Sequence, residues 1–241
     1  MNFFSIFKRN TIYFFKKKTN IDNHKFKKNI DLDKLFIHYG TDKSSKTHSF
    51  AKFYSKHLKK IRDKKINILE IGAAGGASAA SFVHYFKKSK VFCIDVNLTL
   101  VAYESKKINF FGLDSSNLKM LNKFIKKIKQ NFLIKNFDII IDDGSHLLSD
   151  QLFSLNYFYK YLASEGYYVI EDYKFSNYFK RNKDVNELNL DKIIARLKNN
   201  KKIKSNILNV DTIKSLYNSK IYSYKGKSKI SDIVFFRKKK N

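Results

Sequence analysis

Hydrophobic and polar positions along the chain follow two spacings in turn, and each change of spacing marks the edge of an element. Leu32, Leu35 and Phe36 recur at helical intervals behind Asp31, a good N-cap, and Gly40 closes the segment; this predicts a helix over residues 32–38. A second helix is predicted over residues 49–62, where Phe50, Phe53, Tyr54, His57, Leu58 and Ile61 form a stripe. Beyond it, short apolar runs alternate with helical patterns. Strands are expected at residues 66–71, 91–95, 108–113, 137–141 and 167–170, and helices at 77–87, 118–131 and 151–162. Residues 174–216 read as a helical insertion. Two alternating segments around Gly226, residues 219–224 and 231–237, read as an antiparallel hairpin.

That order predicts an α/β fold, a parallel sheet covered by helices with the hairpin at its edge. Residues 1–30 form a leader of aromatic and basic residues without glycine, expected as a loose basic tail or as a segment lying on an anionic bilayer. Residues 31–241 read as one domain, with no linker that would split it.

Composition narrows the classes. A chain of 241 residues with 43% hydrophobic and 16% aromatic content has ample core, which excludes global disorder. Cys93 is the single cysteine, so no internal disulfide forms, in keeping with a reducing, cytoplasmic setting. No run reaches the roughly 18 apolar residues of a membrane span. The stretches at 3–7 and 11–15, broken by Lys8 and Arg9, are too short for a secretory signal.

The net charge of +28 raises nucleic acid as a partner, but only five of the 49 basic residues are Arg. Lysine is a hydrated point charge, whereas bidentate recognition of guanine or phosphate favours Arg. The excess of Lys, Asn, Ile, Phe and Tyr with no Pro also matches an A/T-rich coding sequence. Nucleic acid is therefore not expected as the main partner.

The chemistry gathers where predicted strands end. The first site is Leu69-Glu70-Ile71-Gly72-Ala73-Ala74-Gly75-Gly76-Ala77-Ser78. An acid ending a strand, then small residues, then a helix lets backbone amides approach a ligand closely. A dehydrogenase would carry G-x-G-x-x-G without the acid; the E-x-G-x-x-G-G spacing resembles motif I of class I methyltransferases. On that basis Glu70, Gly72, Ala74 and Gly76 are candidates for binding S-adenosylmethionine, with Glu70 orienting the methionine ammonium directly or through water. The same glycines would also serve a purely structural turn.

Asp95 follows the next strand and offers a bidentate acceptor for the two ribose hydroxyls. Asp114 and Ser115, after the third strand, stand where such enzymes hold the adenine amino group.

The most informative site is Phe137-Asp138-Ile139-Ile140-Ile141-Asp142-Asp143-Gly144-Ser145-His146, paired with Tyr168-Val169-Ile170-Glu171-Asp172-Tyr173. Two parallel strands each end in a pair of acids, at the edge where doubly wound folds bind ligands. Acids this close repel, so such a cluster would raise its own pKa values or recruit a cation. Asp143, Glu171 and Asp172 are hard oxygen ligands suited to Mg2+. His146, with an intrinsic pKa near neutrality, is a candidate general base, as is Asp143.

Tyr39-Gly40-Thr41-Asp42-Lys43, then His48 and Tyr54, LEIGAAGGAS, IDV, DDGSH and VIEDY, in that order over about residues 35–173, resemble the macrolide-sugar (mycinamicin and macrocin type) O-methyltransferases and related bacterial sugar methyltransferases. The resemblance implies a Rossmann-like, doubly wound, mostly parallel seven-stranded sheet with an antiparallel C-terminal edge hairpin. It also implies bound magnesium and methyl transfer to a sugar hydroxyl. Carried over, Asp143, Glu171 and Asp172 would hold the metal and His146 would act as base. Lys43 and His48 would belong to lid helices (31–62) folding over the cofactor site, and residues 174–216 would shape the substrate side. Phe50 stands where the family carries Tyr, and some relatives have Asp in place of Glu171. Without a long N-terminal extra domain, a smaller or glycan acceptor is expected rather than a macrolide.

Two other classes stay open. A ribose methyltransferase of nucleic acid fits the charge, although the N/D-P-P-Y and Pro-Cys motifs of base-modifying enzymes are absent. A membrane-surface protein with a vestigial methyltransferase fold fits the leader, where Phe3, Phe4, Phe7, Phe14 and Phe15 alternate with Lys8, Arg9 and residues 16–18. Residues 1–20 are accordingly candidates for peripheral contact with an anionic inner membrane face. The sequence carries no signal of oligomeric state.

Overall fold

The computed structural model describes residues 3–240. The chain forms two compact units, residues 1–134 and 135–241.

The first unit opens with helix α1 (Phe3–Phe15), followed by β1 (Thr19–Asn20), α2 (Leu32–Tyr39), α3 (Ala51–Leu58), β2 (Ile66–Ile71), α4 (Ala77–Tyr85), β3 (Ser89–Asp95), β4 (Tyr103–Glu104), β5 (Ile108–Gly112) and α5 (Leu118–Phe132). β2 and β5 flank β3, all parallel, with Glu70 opposite Cys93 and Asp95 opposite Gly112. β1 and β4 make a separate short parallel pair. Asp31 caps α2 by accepting from the Asp33 amide, and Gly40 ends it in the left-handed region, as its sequence predicts. Phe36, Tyr54 and Phe82 meet edge-to-face and lock α2, α3 and α4 together. The amphipathic α5 buries Leu121, Phe124, Ile125 and Ile128 and turns its lysines outward.

The second unit runs β6 (Phe137–Asp142), α6 (Leu148–Phe158), β7 (Leu162–Glu171), α7 (Phe175–Tyr178), α8 (Leu190–Lys198), α9 (Val210–Tyr217), β8 (Lys220–Lys225) and β9 (Asp232–Arg237). β6 and β7 are parallel; β9 runs antiparallel to β7, and β8 antiparallel to β9. β2, β3 and β5 in the first unit and β6, β7, β8 and β9 in the second make up the seven strands and the directions expected.

The leader differs from a loose tail. Phe3–Phe15 is helical and seated, with Ile6 buried, Asn10 Nδ2 donating to Gly112 O at 3.1 Å and Lys16 Nζ donating to Thr99 O at 2.7 Å. β7 also starts five residues earlier than predicted, because Leu162 pairs with Phe137 and a register irregularity between Phe137 and Ile139 absorbs the polar stretch before Tyr167. The 174–216 insertion contains three short helices, of which α8 buries Leu190, Ile193, Ile194 and Leu197.

Candidate active site

In the first unit β2 delivers Glu70 to the base of the turn, where it is fully buried. Ser78 Oγ, in the first turn of α4, donates to its Oε1 at 2.5 Å, and the Cys93 thiol lies 3.8 Å from its Oε2. Burial, then the Glu70 carboxylate, push the Cys93 thiol well above its usual range, so it stays protonated. Gly72, Ala74 and Gly76 all have positive φ, of 85°, 42° and 77°. The backbone thus curls tightly over Glu70, leaving Ala74 exposed at the crest.

Asp95, at the end of β3, reaches back to this turn. Its Oδ2 accepts the amides of Ala73 and Ala74, each at 2.9 Å, and its Oδ1 accepts the Asn97 amide at 2.7 Å. Asp114 Oδ1 accepts the Ser116 amide at 2.9 Å and the Ser116 hydroxyl at 2.7 Å. Burial raises the Asp114 carboxyl and these two hydrogen bonds lower it, and the group ends below the usual carboxylate range. Ser115 is half-buried beside it.

Lys43 is buried at 2% exposure in the loop between α2 and α3, where its carbonyl accepts the amides of Phe50 and Ala51. His48 Nε2 lies 3.6 Å from Asp42 Oδ2 and its ring stacks on the buried Phe50. The phenyl ring at position 50 therefore packs as core.

In the second unit β6 ends at Asp142, and the chain turns through Asp143 and Gly144 to His146, whose φ is 57°; after β7, Asp172 has φ 49°. Left-handed backbone in non-glycine residues costs about 1–3 kcal/mol each and clusters at functional sites. Both residues sit where one carboxylate oxygen from Asp143, one from Asp172 and a ring nitrogen of His146 all lie within 4.8 Å of one another. His146 Nε2 is 3.9 Å from Asp143 Oδ1. The ring packs against Phe175 and the His146 carbonyl accepts Asn182 Nδ2 at 3.2 Å. Glu171, buried at 2% exposure, contributes no atom to this group.

Two carboxylates and an imidazole at this separation fit a divalent cation, whose neighbouring ligands stand about 3–4 Å apart in octahedral geometry. Oxygen ligands suit magnesium, whereas an imidazole nitrogen suits zinc or manganese at least as well.

The sequence drew attention to Asp142 only as half of an acidic pair. It is buried at 3% exposure and interacts with the buried Tyr168 hydroxyl. Its carboxyl is pushed up to about 8, first by burial and then by the charges of Asp143 and Asp150, against the pull of the Gly144 amide and the Tyr168 hydroxyl. Gln151, on the buried face of α6, donates to the Glu171 carbonyl at 3.4 Å. A polar residue within an apolar helical stripe was the signal that would have found it. The signal for α1 was similar: buried Ile6 and half-buried Asn10 and Tyr13 fall at helical spacing opposite the phenylalanines.

Curated relatives match more than half of the chain. L-olivosyl-oleandolide 3-O-methyltransferase of Streptomyces antibioticus is 31% identical over 156 residues, covering 61% of this chain and 38% of its own length. Mycinamicin VI 2''-O-methyltransferase of Micromonospora griseorubida is 26% identical, covering 59% and 36%. The chain thus spans little more than a third of these relatives. A solved structure of the MycE methyltransferase from the mycinamycin biosynthetic pathway, in complex with Mg, SAH and mycinamycin VI, superposes with a TM-score of 0.68 at 20% identity, over 88% of this chain and 56% of that one. It shows the Rossmann-like fold expected from the strand order. The profile of the methyltransferase domain matches residues 62–231, more than half of the sequence, and the chain belongs to that family.

Proposed function

We propose that this protein is an S-adenosylmethionine-dependent O-methyltransferase that acts, with magnesium, on a hydroxyl of a sugar or glycan. The observation that carries the reading is the convergence of Asp143, His146 and Asp172 at strand ends of a methyltransferase-family chain. The relatives named above, whose names specify O-methylation of glycosylated acceptors, support the acceptor class.

On the donor side, Glu70 and the turn at Gly72, Ala74 and Gly76 would hold the methionine end, and Asp95 the ribose hydroxyls. Asp114 and Ser115 would hold the adenine amino group, while Lys43 stiffens the covering loop. On the acceptor side, Asp143 and Asp172, with Glu171 beside them, would hold Mg2+, which when bound lowers the pKa of a coordinated sugar hydroxyl. His146 takes the hydroxyl proton, and Asp143 beside it favours the imidazolium that results. With His146 as base, the ion keeps the oxygen ligands that magnesium prefers. The acceptor oxygen then forms its bond to the methyl carbon as the carbon–sulfur bond breaks, releasing S-adenosylhomocysteine.

Labelled methyl transfer from S-adenosylmethionine to a panel of nucleotide sugars and glycans tests this. Activity should depend on magnesium and fall by about 10²-fold or more in His146→Ala, the low end for loss of a general base. Activity that survives both a chelator and His146→Ala unchanged would refute these roles.

A further inference from the structure

Helix α1 has two faces. One packs on the loop that follows β3 and on the end of β5: Arg9 Nη1 donates to Val96 O at 3.4 Å and Asn10 to Gly112 O, while Lys16, just past the helix, donates to Thr99 O. The Asn10 amide lies so close to Gly112 that a Cβ there would fall 1.5 Å from its Oδ1. The other face is apolar and turned outward, with Phe4, Phe7, Phe14 and Phe15 between 64% and 79% exposed and Ile12 at 47%. Phe4, Phe7, Phe14 and Phe15, with Thr11 between them, fall on one side of the helix, so the four phenylalanines share one face of a seated helix and are not scattered surface residues.

A second surface lies alongside. α5 carries Lys119, Lys123, Lys126, Lys127 and Lys129, all exposed, and no acidic residue; α1 also has none. The two helices flank one cavity of about 400 Å³, to which α1 contributes Asn10 and Tyr13 and α5 contributes Lys123 and Lys127. α1 thus turns its aromatic stripe outward, with the exposed Lys8 beside it, while its inner side borders a cavity shared with the lysine-bearing α5.

We infer that this combined surface docks on an anionic lipid bilayer, with the phenylalanines of α1 entering the headgroup–acyl boundary and the α5 lysines facing anionic headgroups. The chemistry is that of an interfacial helix: an apolar face for the boundary and adjacent lysines for charge. Charge decides among occupants. A second copy of this chain would bring two bodies of net charge +28 and their Lys8, Lys17 and α5 lysines together, whereas an anionic membrane neutralises them. No helix among the described residues is long and apolar enough to cross a membrane, so the contact is peripheral. The inference is independent of the methyl-transfer reading.

Flotation of the full chain with vesicles tests it. Binding to phosphatidylglycerol-containing vesicles, with little to phosphatidylcholine alone, is expected. Phe7→Ser/Phe14→Ser/Phe15→Ser should lower partition by at least about tenfold, since each buried phenylalanine contributes at least that much. Lys123→Glu/Lys127→Glu, which leaves α1 intact, should lower binding to the anionic vesicles by a similar factor. Unchanged thermal melting and circular dichroism, expected because all five side chains are exposed, would show that both variants fold. Wild-type partition in the triple variant, or equal binding to neutral and anionic vesicles, would overturn the proposal. So would a wild-type dimer that the triple variant dissociates, or single-stranded RNA binding lost in that variant without any vesicle binding.

Discussion

Asp95 Oδ2 accepts the Ala74 amide at 2.9 Å, and the same oxygen accepts Ala73, so the end of β3 clamps the turn that follows β2. A carboxylate bonded to two amides is a charge-assisted contact worth more than a neutral pair. Asp95→Ala should therefore cost about 1–3 kcal/mol of stability, the penalty for orphaned polar groups. It should also weaken S-adenosylhomocysteine binding, measured by titration calorimetry, by more than tenfold. Unchanged affinity in a folded Asp95→Ala would show that the carboxylate serves the turn alone.

The same turn predicts a contrast between neighbouring glycines. Gly76 has φ +77°, and a Cβ there would come within 2.9 Å of Phe110 Cζ. The left-handed backbone alone costs a residue with a side chain about 1–2 kcal/mol. At Gly75 a Cβ would meet only Leu100 O at 3.8 Å, an ordinary contact. Gly76→Ala should lower the melting temperature by several degrees, and Gly75→Ala should leave it nearly unchanged.

Much of this was legible in the sequence because parallel strands and turns announce themselves locally. The apolar runs at 66–71 and 137–141, the acids that end them and the capping pair Asp31 and Gly40 all stand where their residue types predict. What stayed hidden depends on contacts distant in sequence. Asp95 and Ala74 are 21 residues apart, Asn10 and Gly112 are 102 apart, and no periodicity encodes either pairing. Likewise, the positive φ of His146 and Asp172 arises from loop geometry, which is why the grouping of His146 with the two acids, without Glu171, was not evident from residue type.

His84 supplies a pH dependence. Its ring stacks on Tyr39 and His24. Burial, then the charges of His24 and Lys107, push its pKa down to about 4. An unfolded histidine titrates near pH 6.5, so between 6.5 and 4 the unfolded chain binds the extra proton. Stability should fall as pH drops through that window and be unaffected by His84 above it. Because the ring is only half-buried, the loss should be about 1–2 kcal/mol rather than the full value of the shift. His84→Phe should remove that component when melting temperatures at pH 7 and pH 4.5 are compared with wild type.

Asp232, at the start of β9 and 1% exposed, is held by three side chains. Lys174 Nζ lies 3.1 Å from its Oδ1, Lys225 Nζ lies 2.8 Å from its Oδ2, and the Tyr178 hydroxyl donates to Oδ2 at 2.6 Å. These contacts tie the segment leaving β7 to the C-terminal hairpin, and Lys174 is two residues from Asp172. Removing one partner of a buried pair costs roughly 3–5 kcal/mol. Asp232→Ala should fall at the lower end, because both lysines are partly exposed and regain water. Asp232→Asn keeps the shape and one acceptor but not the charge, and should be milder. If the pair also positions Asp172, Asp232→Asn should weaken magnesium-dependent activity through a higher metal requirement. Saturating magnesium should then restore the rate. A variant that lost stability yet kept the wild-type magnesium dependence would confine Asp232 to holding the hairpin.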